Sequence, residues 1–171
     1  VCSWAWPGCW TSCGRASLLS TRIPVEQDRG RIRAALSAAL HLSLAPTGSE
    51  HTTSTVRHLC DDMEYTVSVI VDGTVSSVVI DEAYLLVYSI GQPWYSLGHT
   101  VFQEDLVLRI GSGSTFGRVI QTMEALAVQN QCSTLVAGGA LSRSSRAITR
   151  LYRMHGFELE DGVPQFTKRR A

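Results

Sequence analysis

From Arg22 onward, the spacing of apolar residues divides the chain into alternating helical and extended segments. In residues 25–44 the apolar side chains recur every three or four positions, and Pro24 stands just before the first turn, which predicts an amphipathic first helix. Residues 54–63 predict a second, short helix. A longer helix is predicted from about residue 116, because these apolar residues share one face: Phe116, Val119, Ile120, Met123, Leu126 and Ala127.

The extended segments alternate with these helices. Residues 66–71 and 74–80 are rich in β-branched side chains and flank Asp72-Gly73, a pair typical of tight hairpin turns, so two antiparallel strands are predicted there. The apolar run at residues 84–90 is predicted to lie inside the sheet or under a partner, because it would promote aggregation on an open edge. Further strands are predicted at residues 83–90, 102–110, 133–137, 157–160 and 165–168.

A turn rich in glycine and serine, residues 109–117, separates the fourth predicted strand from the long helix. A strand, such a turn and a helix N-terminus together form an anion site, because unpaired backbone N–H groups and the helix dipole point at the turn. Arg118 excludes a P-loop, and Phe116 stands where a dinucleotide fingerprint has its third glycine. A plain loop remains the alternative at this point.

The last predicted helix, residues 145–155, has its apolar positions on one face, among them Ile148, Leu151, Tyr152 and His155. Gly156 follows where a helix needs a left-handed C-terminal residue, and Phe157 opens a new segment. Tyr152 is thus held on the buried face one turn before a sharp stop. Its ring either packs in the core or directs its phenol at a cleft.

The composition is that of one domain with no preference for polyanions. The 171 residues carry 15 basic and 15 acidic side chains, which argues against nucleic acid or an anionic membrane as a partner. The five cysteines are odd in number and scattered, so they are interpreted as free thiols of a reducing compartment, with no metal site. Three basic residues near the end, Lys168, Arg169 and Arg170, are interpreted as a solvated tail.

Residues 1–21 differ in composition from the rest of the chain. Trp4, Trp6 and Trp10 are interleaved with cysteines and glycine without a helical or strand period. The segment is interpreted as a poorly ordered N-terminal extension, and a docking element is the alternative. It lacks the basic and apolar regions of a signal peptide, and no apolar stretch is long enough to span a bilayer, so a cytoplasmic protein is expected.

The order of elements resembles the GNAT superfamily of acetyltransferases from Arg22 to the C-terminus. Residues 145–157 resemble the family segment Asn-x-x-Ala-x-x-Leu-Tyr-x-x-x-Gly-Phe through Ala147, Leu151, Tyr152, Gly156 and Phe157, with Ser145 in place of the asparagine and Ala147 displaced by one residue. Residues 109–117 resemble the coenzyme A pyrophosphate loop, with a different glycine spacing. The resemblance implies an α/β (α+β) fold over residues 22–171. Its mixed, mostly antiparallel sheet would have six to seven strands and be flanked by about four helices.

The resemblance also implies acetyl-CoA as the cosubstrate of an N-acetyltransferase acting on a primary amine, either a small molecule or a protein amino group. The alternative is a GNAT-fold protein without turnover that acts as a binding or structural component. Small proteins of tailed bacteriophages resemble this chain, and some are packaged in the virion. A phage-encoded chain would lie in the host cytoplasm or the virion, and a homodimer or a virion component is a further expectation.

Site residues follow from the same resemblance. Tyr152 occupies the position of the acid that protonates the departing thiolate, and Glu104 is the candidate base for the amine, directly or through water, with Asp105 on the opposite face. For Glu104 a solvated strand end is the alternative. In the loop after residue 91, Trp94 and Tyr95 line an acceptor pocket or cap the sheet. The implied coenzyme-binding residues are Val107, Leu108, Arg109, Gly111, Ser112, Gly113, Ser114, Thr115, Phe116, Gly117 and Ser145.

Overall fold

The computed structural model describes residues 20–44, 62–93, 98–138, 145–159 and 165–169. Several predictions therefore lie outside the described residues: most of the second helix at 54–63, the extension up to residue 19, Trp94 and Tyr95, and Arg170. Within the described part, the backbone forms seven strands and four α-helices. In chain order the elements are β1 (Thr21–Arg22), a 3-10 turn (Glu26–Asp28), α1 (Arg29–Leu44), α2 (Met63–Val71), β2 (Ser77–Ile80), β3 (Tyr84–Gly91), β4 (Val101–Arg109), α3 (Phe116–Gln129), β5 (Thr134–Gly138), α4 (Ser145–Met154), β6 (Glu158–Leu159) and β7 (Gln165–Arg169).

The seven strands form one sheet in the order β1-β2-β3-β4-β5-β7-β6. All neighbouring pairs are antiparallel except β4 and β5, which are parallel. The mixed, mostly antiparallel sheet predicted from the sequence is confirmed. The apolar strand β3 lies between β2 and β4, inside the sheet as its composition predicts.

Helices cover the sheet on both faces, and each face has its own apolar core. The core under α1 and α2 includes Ile32, Leu36 and Leu40 of α1, spaced as the amphipathic pattern predicts, together with sheet residues such as Leu85 and Leu108. The core under α3 and α4 contains these buried residues: Ile80, Ala83, Tyr84, Leu86, Phe102, Val119, Ile120, Met123, Ala127, Cys132, Leu135, Ala137, Tyr152 and Phe157.

The hairpin predicted around Asp72-Gly73 is wrong, because residues 63–71 form helix α2. The Asp62 side chain caps this helix by accepting a hydrogen bond from the Tyr65 amide at 3.1 Å. Val67 and Ile70, three positions apart, are buried against the sheet, so packing outweighs the β-propensity of the segment. Gly73, at φ +73, adopts the left-handed conformation just after the helix end.

The tight hairpin turn of the described chain lies one strand later, at Asp81 and Glu82. Their φ angles are +50 and +55, and the Ala83 amide donates to the Ile80 carbonyl at 2.9 Å, which makes a type I′ turn between β2 and β3. Glycine or asparagine usually occupies such positions, because other residues cost energy in this conformation. Both side chains of the turn are held by ion pairs with arginine.

Lys168 is not part of a solvated tail, contrary to the prediction. It belongs to β7, and its ammonium group donates to the Glu124 carboxylate at 2.6 Å and to the His155 carbonyl at 2.8 Å. The same group lies 5.7 Å from the centre of the Phe157 ring. Lys168 therefore neutralises the carbonyl end of α4 and ties that helix end to α3.

Candidate active site

Strand β4 separates from β5 halfway along its length. The two strands pair only through Val101, Phe102 and Gln103 of β4. On its other side β4 stays paired with β3 as far as Arg109. Among the residues that the structure describes, the second half of β4 therefore has a strand partner on one side only, which leaves its edge toward β5 open.

A β-bulge lies where β4 leaves β5. Tyr88 pairs with Glu104 and Val87 pairs with Leu106, so Asp105 has no opposite residue in β3. The extra residue reverses the alternation of side chains along the strand. Phe102 and Glu104 precede the bulge on the α3/α4 face, and Val107 follows it on that same face, while Leu108 packs under α1 and α2.

The hydrogen bonds at the end of β4 show which backbone amides are open. The Ile110 amide donates to the Ala83 carbonyl at 2.8 Å, toward the β3 side. Since amides alternate along a strand, the Leu108 amide points the same way, and those of Val107 and Arg109 point toward the open edge. Of Val107, Leu108 and Arg109, which the resemblance implies as coenzyme-binding residues, only Val107 and Arg109 thus have amides that point toward the open edge.

Glu104 and Tyr152 meet inside the α3/α4 core. The Tyr152 phenol donates a hydrogen bond to Glu104 Oε2, Tyr152 has no exposed surface, and Glu104 is 9% exposed. The tyrosine ring makes edge-on contacts with Phe116 at 5.7 Å and Phe157 at 5.2 Å between ring centres. Glu104 is therefore not a solvated strand end, and Tyr152 is both a core aromatic and the partner of a carboxyl group.

Burial dominates the acid–base behaviour of this pair. Loss of solvent raises the pKa of Glu104 to about 8, against the opposing effect of the Tyr152 hydrogen bond. Loss of solvent, followed by the nearby Glu104 charge, raises the pKa of Tyr152 above its usual value. A carboxyl group with a pKa near neutral pH can accept a proton there, and the phenol stays protonated as a donor.

The glycine- and serine-rich turn leads from β4 into α3. Gly111 lies against the β2–β3 turn, where a Cβ atom would overlap the Glu82 carbonyl oxygen and stand 3.1 Å from Arg31 Nη2. Its amide donates to the Ala83 carbonyl at 3.0 Å. By contrast, the amides of residues 112–117 donate to no acceptor within the part of the chain that the structure describes. They remain available to an anion in the turn.

Asp81 holds the far side of this turn. Its Oδ2 atom accepts hydrogen bonds from Ser114 Oγ at 2.8 Å and from Arg118 Nε at 3.0 Å. The Arg118 guanidinium holds the pKa of the Asp81 carboxyl below its usual value. Sequence reasoning missed Asp81, because no local pattern links it to groups 33 and 37 positions later. Arg118 was considered only as the residue that excludes a P-loop.

The remaining residues near the candidate site differ in the groups that they contact. Phe116 packs edge-on between Tyr84 and Tyr152, which connects the turn to the Glu104–Tyr152 pair. Arg109 donates from Nε to the Gly111 carbonyl at 3.2 Å and lies over the Tyr84 ring. His155 packs beside Gly117 and is partly buried. Ser145 begins α4, and its side chain lies outside the described part.

Two features are absent from the described residues. No group of three or more histidine, cysteine, aspartate or glutamate side chains is placed to hold a metal ion there. Within the same ranges, no helix combines the length and the apolar character needed to cross a bilayer.

Several solved structures share this architecture. An acetyltransferase of the GNAT family from Streptococcus agalactiae superposes with a TM-score of 0.59 at 13% identity, covering 91% of this chain and 97% of that one. One from Listeria monocytogenes gives 0.55 at 12% identity, covering 89% and 95%. The ribosomal-protein-alanine N-acetyltransferase from Brucella melitensis gives 0.53 at 18% identity, covering 88% and 99%. The sequence matches no protein-family model and no curated protein. From β1 to β7, the chain has the fold of the GNAT-family acetyltransferases.

Proposed function

We propose that this protein transfers an acetyl group from acetyl-CoA to a primary amine, on a small molecule or a protein. The observation that carries the proposal is the buried Glu104–Tyr152 pair beside the open edge of β4. A base with a raised pKa, a protonated phenol and unpaired amides are the groups that acyl transfer to an amine requires. The solved structures of the same fold are described as acetyltransferases.

The turn between β4 and α3 supports acetyl-CoA as the donor. Its pyrophosphate would be held by the open amides of residues 112–117 at the start of α3. Gly113, at φ +96, has a backbone conformation that favours glycine, and no described atom lies within 4 Å of the position that a Cβ would take, so this part of the turn leaves room for a ligand. Phe116 then places this turn against the ring of Tyr152, so a bound coenzyme and the acid–base pair would be neighbours.

The chemistry follows from the charges that change. As the amine nitrogen bonds to the acetyl carbon, the thioester oxygen becomes negative, and the open amides of Val107 and Arg109 are the donors for it. The ionised form of Glu104, whose share grows as the pH rises toward 8, takes the proton that the amine loses, and Tyr152 gives its proton to the thiolate as the carbon–sulfur bond breaks. The hydrogen bond between the two groups then lets Glu104 return a proton to Tyr152. One proton has moved from the amine to coenzyme A, and the protein is back in its starting state.

A tyrosine substitution tests this mechanism. Tyr152→Phe should lower kcat about 100-fold, because the thiolate loses its acid, with little change in the Kd for acetyl-CoA. Calorimetry measures the affinity, and thiol release in the presence of a panel of primary amines measures turnover.

The matched control is Tyr65→Phe, which removes a hydroxyl from a tyrosine that is 64% exposed on α2 and should change neither quantity. The proposal fails if millimolar acetyl-CoA does not bind to the wild-type protein. An unaltered rate in Tyr152→Phe would remove that phenol from the mechanism.

A further inference from the structure

The donors beside the turn are already engaged by a carboxylate of the protein itself. Ser114 Oγ and Arg118 Nε both donate to Oδ2 of Asp81, and Arg118 uses a second nitrogen to bond Gln121 at 3.2 Å. Asp81 and Arg118 are equally shielded, with 22% of each side chain exposed. The positive charge in the first turn of α3 is therefore neutralised before any ligand arrives.

The backbone keeps Asp81 in this position. The residue is the first of the two left-handed positions in the type I′ turn, its amide donates to the Ser20 carbonyl at 2.8 Å, and Glu82 beside it is paired with Arg22 and Arg31. A carboxylate on so constrained a turn has little freedom to move away from the loop. The other arginine near the turn, Arg109, donates to the Gly111 carbonyl and lies over Tyr84.

We propose that Asp81 limits the affinity of the turn for a diphosphate group by neutralising Arg118 and placing a negative charge beside Ser114. This inference rests on the proposed function, since it concerns the site for the coenzyme pyrophosphate. Like charges a few ångströms apart repel substantially near a protein surface, and Arg118 is drawn toward Asp81 instead of toward a ligand. The affinity of the site is thus set by a residue of the β2–β3 turn, outside the loop itself.

Asp81→Asn is a suitable test, because it removes the charge and keeps the geometry. Asparagine tolerates the left-handed conformation and retains an oxygen that can accept from Ser114. We expect this variant to bind both inorganic pyrophosphate and acetyl-CoA about tenfold more tightly than the wild type at low salt. The gain should shrink as the salt concentration rises.

Two further variants locate the effect. Glu82→Gln removes one negative charge from the same turn, but from a side chain paired with Arg22 and Arg31, so it should change the affinity less than twofold. The double variant Asp81→Asn with Arg118→Gln should lose most of the gain, because the released cation is then absent and only the removal of the Asp81 charge beside Ser114 remains. Asp81→Gly, which also fits the left-handed position, replaces Asp81→Asn if the latter does not fold.

Calorimetric titration separates the possible outcomes. Unchanged or weaker pyrophosphate binding in both Asp81 variants overturns the inference, as does the absence of pyrophosphate binding in every protein. Tighter pyrophosphate binding without acetyl-CoA binding supports the inference and instead contradicts the proposed function. Tighter binding of both ligands supports the two together.

Discussion

Glu104 places a carboxyl group where an ordinary core would have an aliphatic side chain. Phe102, two positions earlier on the same face, is fully buried. In the same core, the Glu104 carboxyl group accepts a hydrogen bond from the Tyr152 phenol. Burying a charge in this setting costs more than keeping the carboxyl group protonated, which is why its pKa rises to about 8. A residue retained at such a cost is more useful to chemistry than to stability.

The free-energy cost of ionising the buried Glu104 carboxyl group should appear in the pH dependence of stability. Between about pH 5 and pH 8 the folded protein holds a proton on Glu104 that the unfolded chain has lost, so the free energy of unfolding should fall as the pH rises through this range. The slope from this one group is at most about 1.4 kcal/mol per pH unit. Urea unfolding at several pH values measures it.

Glu104→Gln should abolish this decline, because glutamine keeps an acceptor for the Tyr152 phenol without titrating. The control is Glu64→Gln, at an exposed position on α2 paired with Arg33, which should unfold with the pH dependence of the wild type. If Glu104→Gln and the wild type decline alike, the buried carboxyl group does not hold its proton to high pH.

Among the elements, the β2–β3 turn does more than connect two strands. Through Asp81 it bonds the loop and α3, and through the Glu82 carbonyl it contacts Gly111 so closely that no side chain fits there. The glycine at the start of the loop between β4 and α3 is therefore required by a neighbouring turn.

Gly111→Ala should consequently lower the free energy of unfolding by about 1–3 kcal/mol, because the new methyl group overlaps backbone that cannot easily move. Chemical denaturation monitored by circular dichroism measures the change. Gly30→Ala is the matched control, since a Cβ at that position in α1 meets no atom within 4 Å, and alanine favours a helix. Equal stability of the two variants would show that the loop adapts to a side chain at residue 111.

At the scale of the whole molecule, a set of four charged residues joins the N-terminal elements to the β2–β3 turn and the end of β4. Arg22 of β1 bonds both Asp28 and Glu82, and Arg31 of α1 bonds the same two carboxylates as well as the Ile110 carbonyl at 3.3 Å. Asp28 is 2% exposed and also accepts from the Val25 amide at 3.0 Å. The set thereby links β1, α1, the β2–β3 turn and the end of β4.

Asp28→Asn should lower the free energy of unfolding by about 2 kcal/mol at pH 7, because it removes the central charge while leaving Arg22 paired with Glu82. Arg22 holds the pKa of Asp28 below its usual value, so this stabilisation is present above about pH 4 and is lost as the pH falls further. Thermal unfolding at pH 7 and pH 3 should therefore show the variant and the wild type converging in acid.

The neighbouring Glu26 supplies the control for this prediction. It lies in the same 3-10 turn as Asp28 and pairs with Arg29 of α1, but it is 71% exposed, so Glu26→Gln should leave the stability unchanged. A loss in Asp28→Asn no larger than that in Glu26→Gln would show that the four-residue set does not stabilise the fold.

Local patterns in the sequence determined most elements and their buried faces. Three features depend only on residues close together in the sequence. These are the spacing of Ile32, Leu36 and Leu40, the apolar composition of β3, and the glycine that ends α4. The same local information predicted the turn before α3, whereas Tyr152 and Glu104 became separate candidates through the resemblance of the chain to the GNAT superfamily. It was wrong for α2, where the β-branched residues and Asp72-Gly73 favour a hairpin in isolation and burial of Val67 and Ile70 favours a helix.

Only the tertiary structure decided which of these residues act on one another. The bulge at Asp105 reverses which face of the sheet the later side chains of β4 occupy. No local sequence pattern predicts that Asp105 lacks a partner in β3. The contact of Glu104 with Tyr152, 48 positions later, and those of Asp81 with Ser114 and Arg118 arise from strand order and helix packing. Lys168 likewise lies in β7 and not in a solvated tail, because this strand runs past the end of α4, where Lys168 donates to the His155 carbonyl. Periodicity and capping are properties of neighbours in the chain, whereas pKa values and ion pairs depend on neighbours in space.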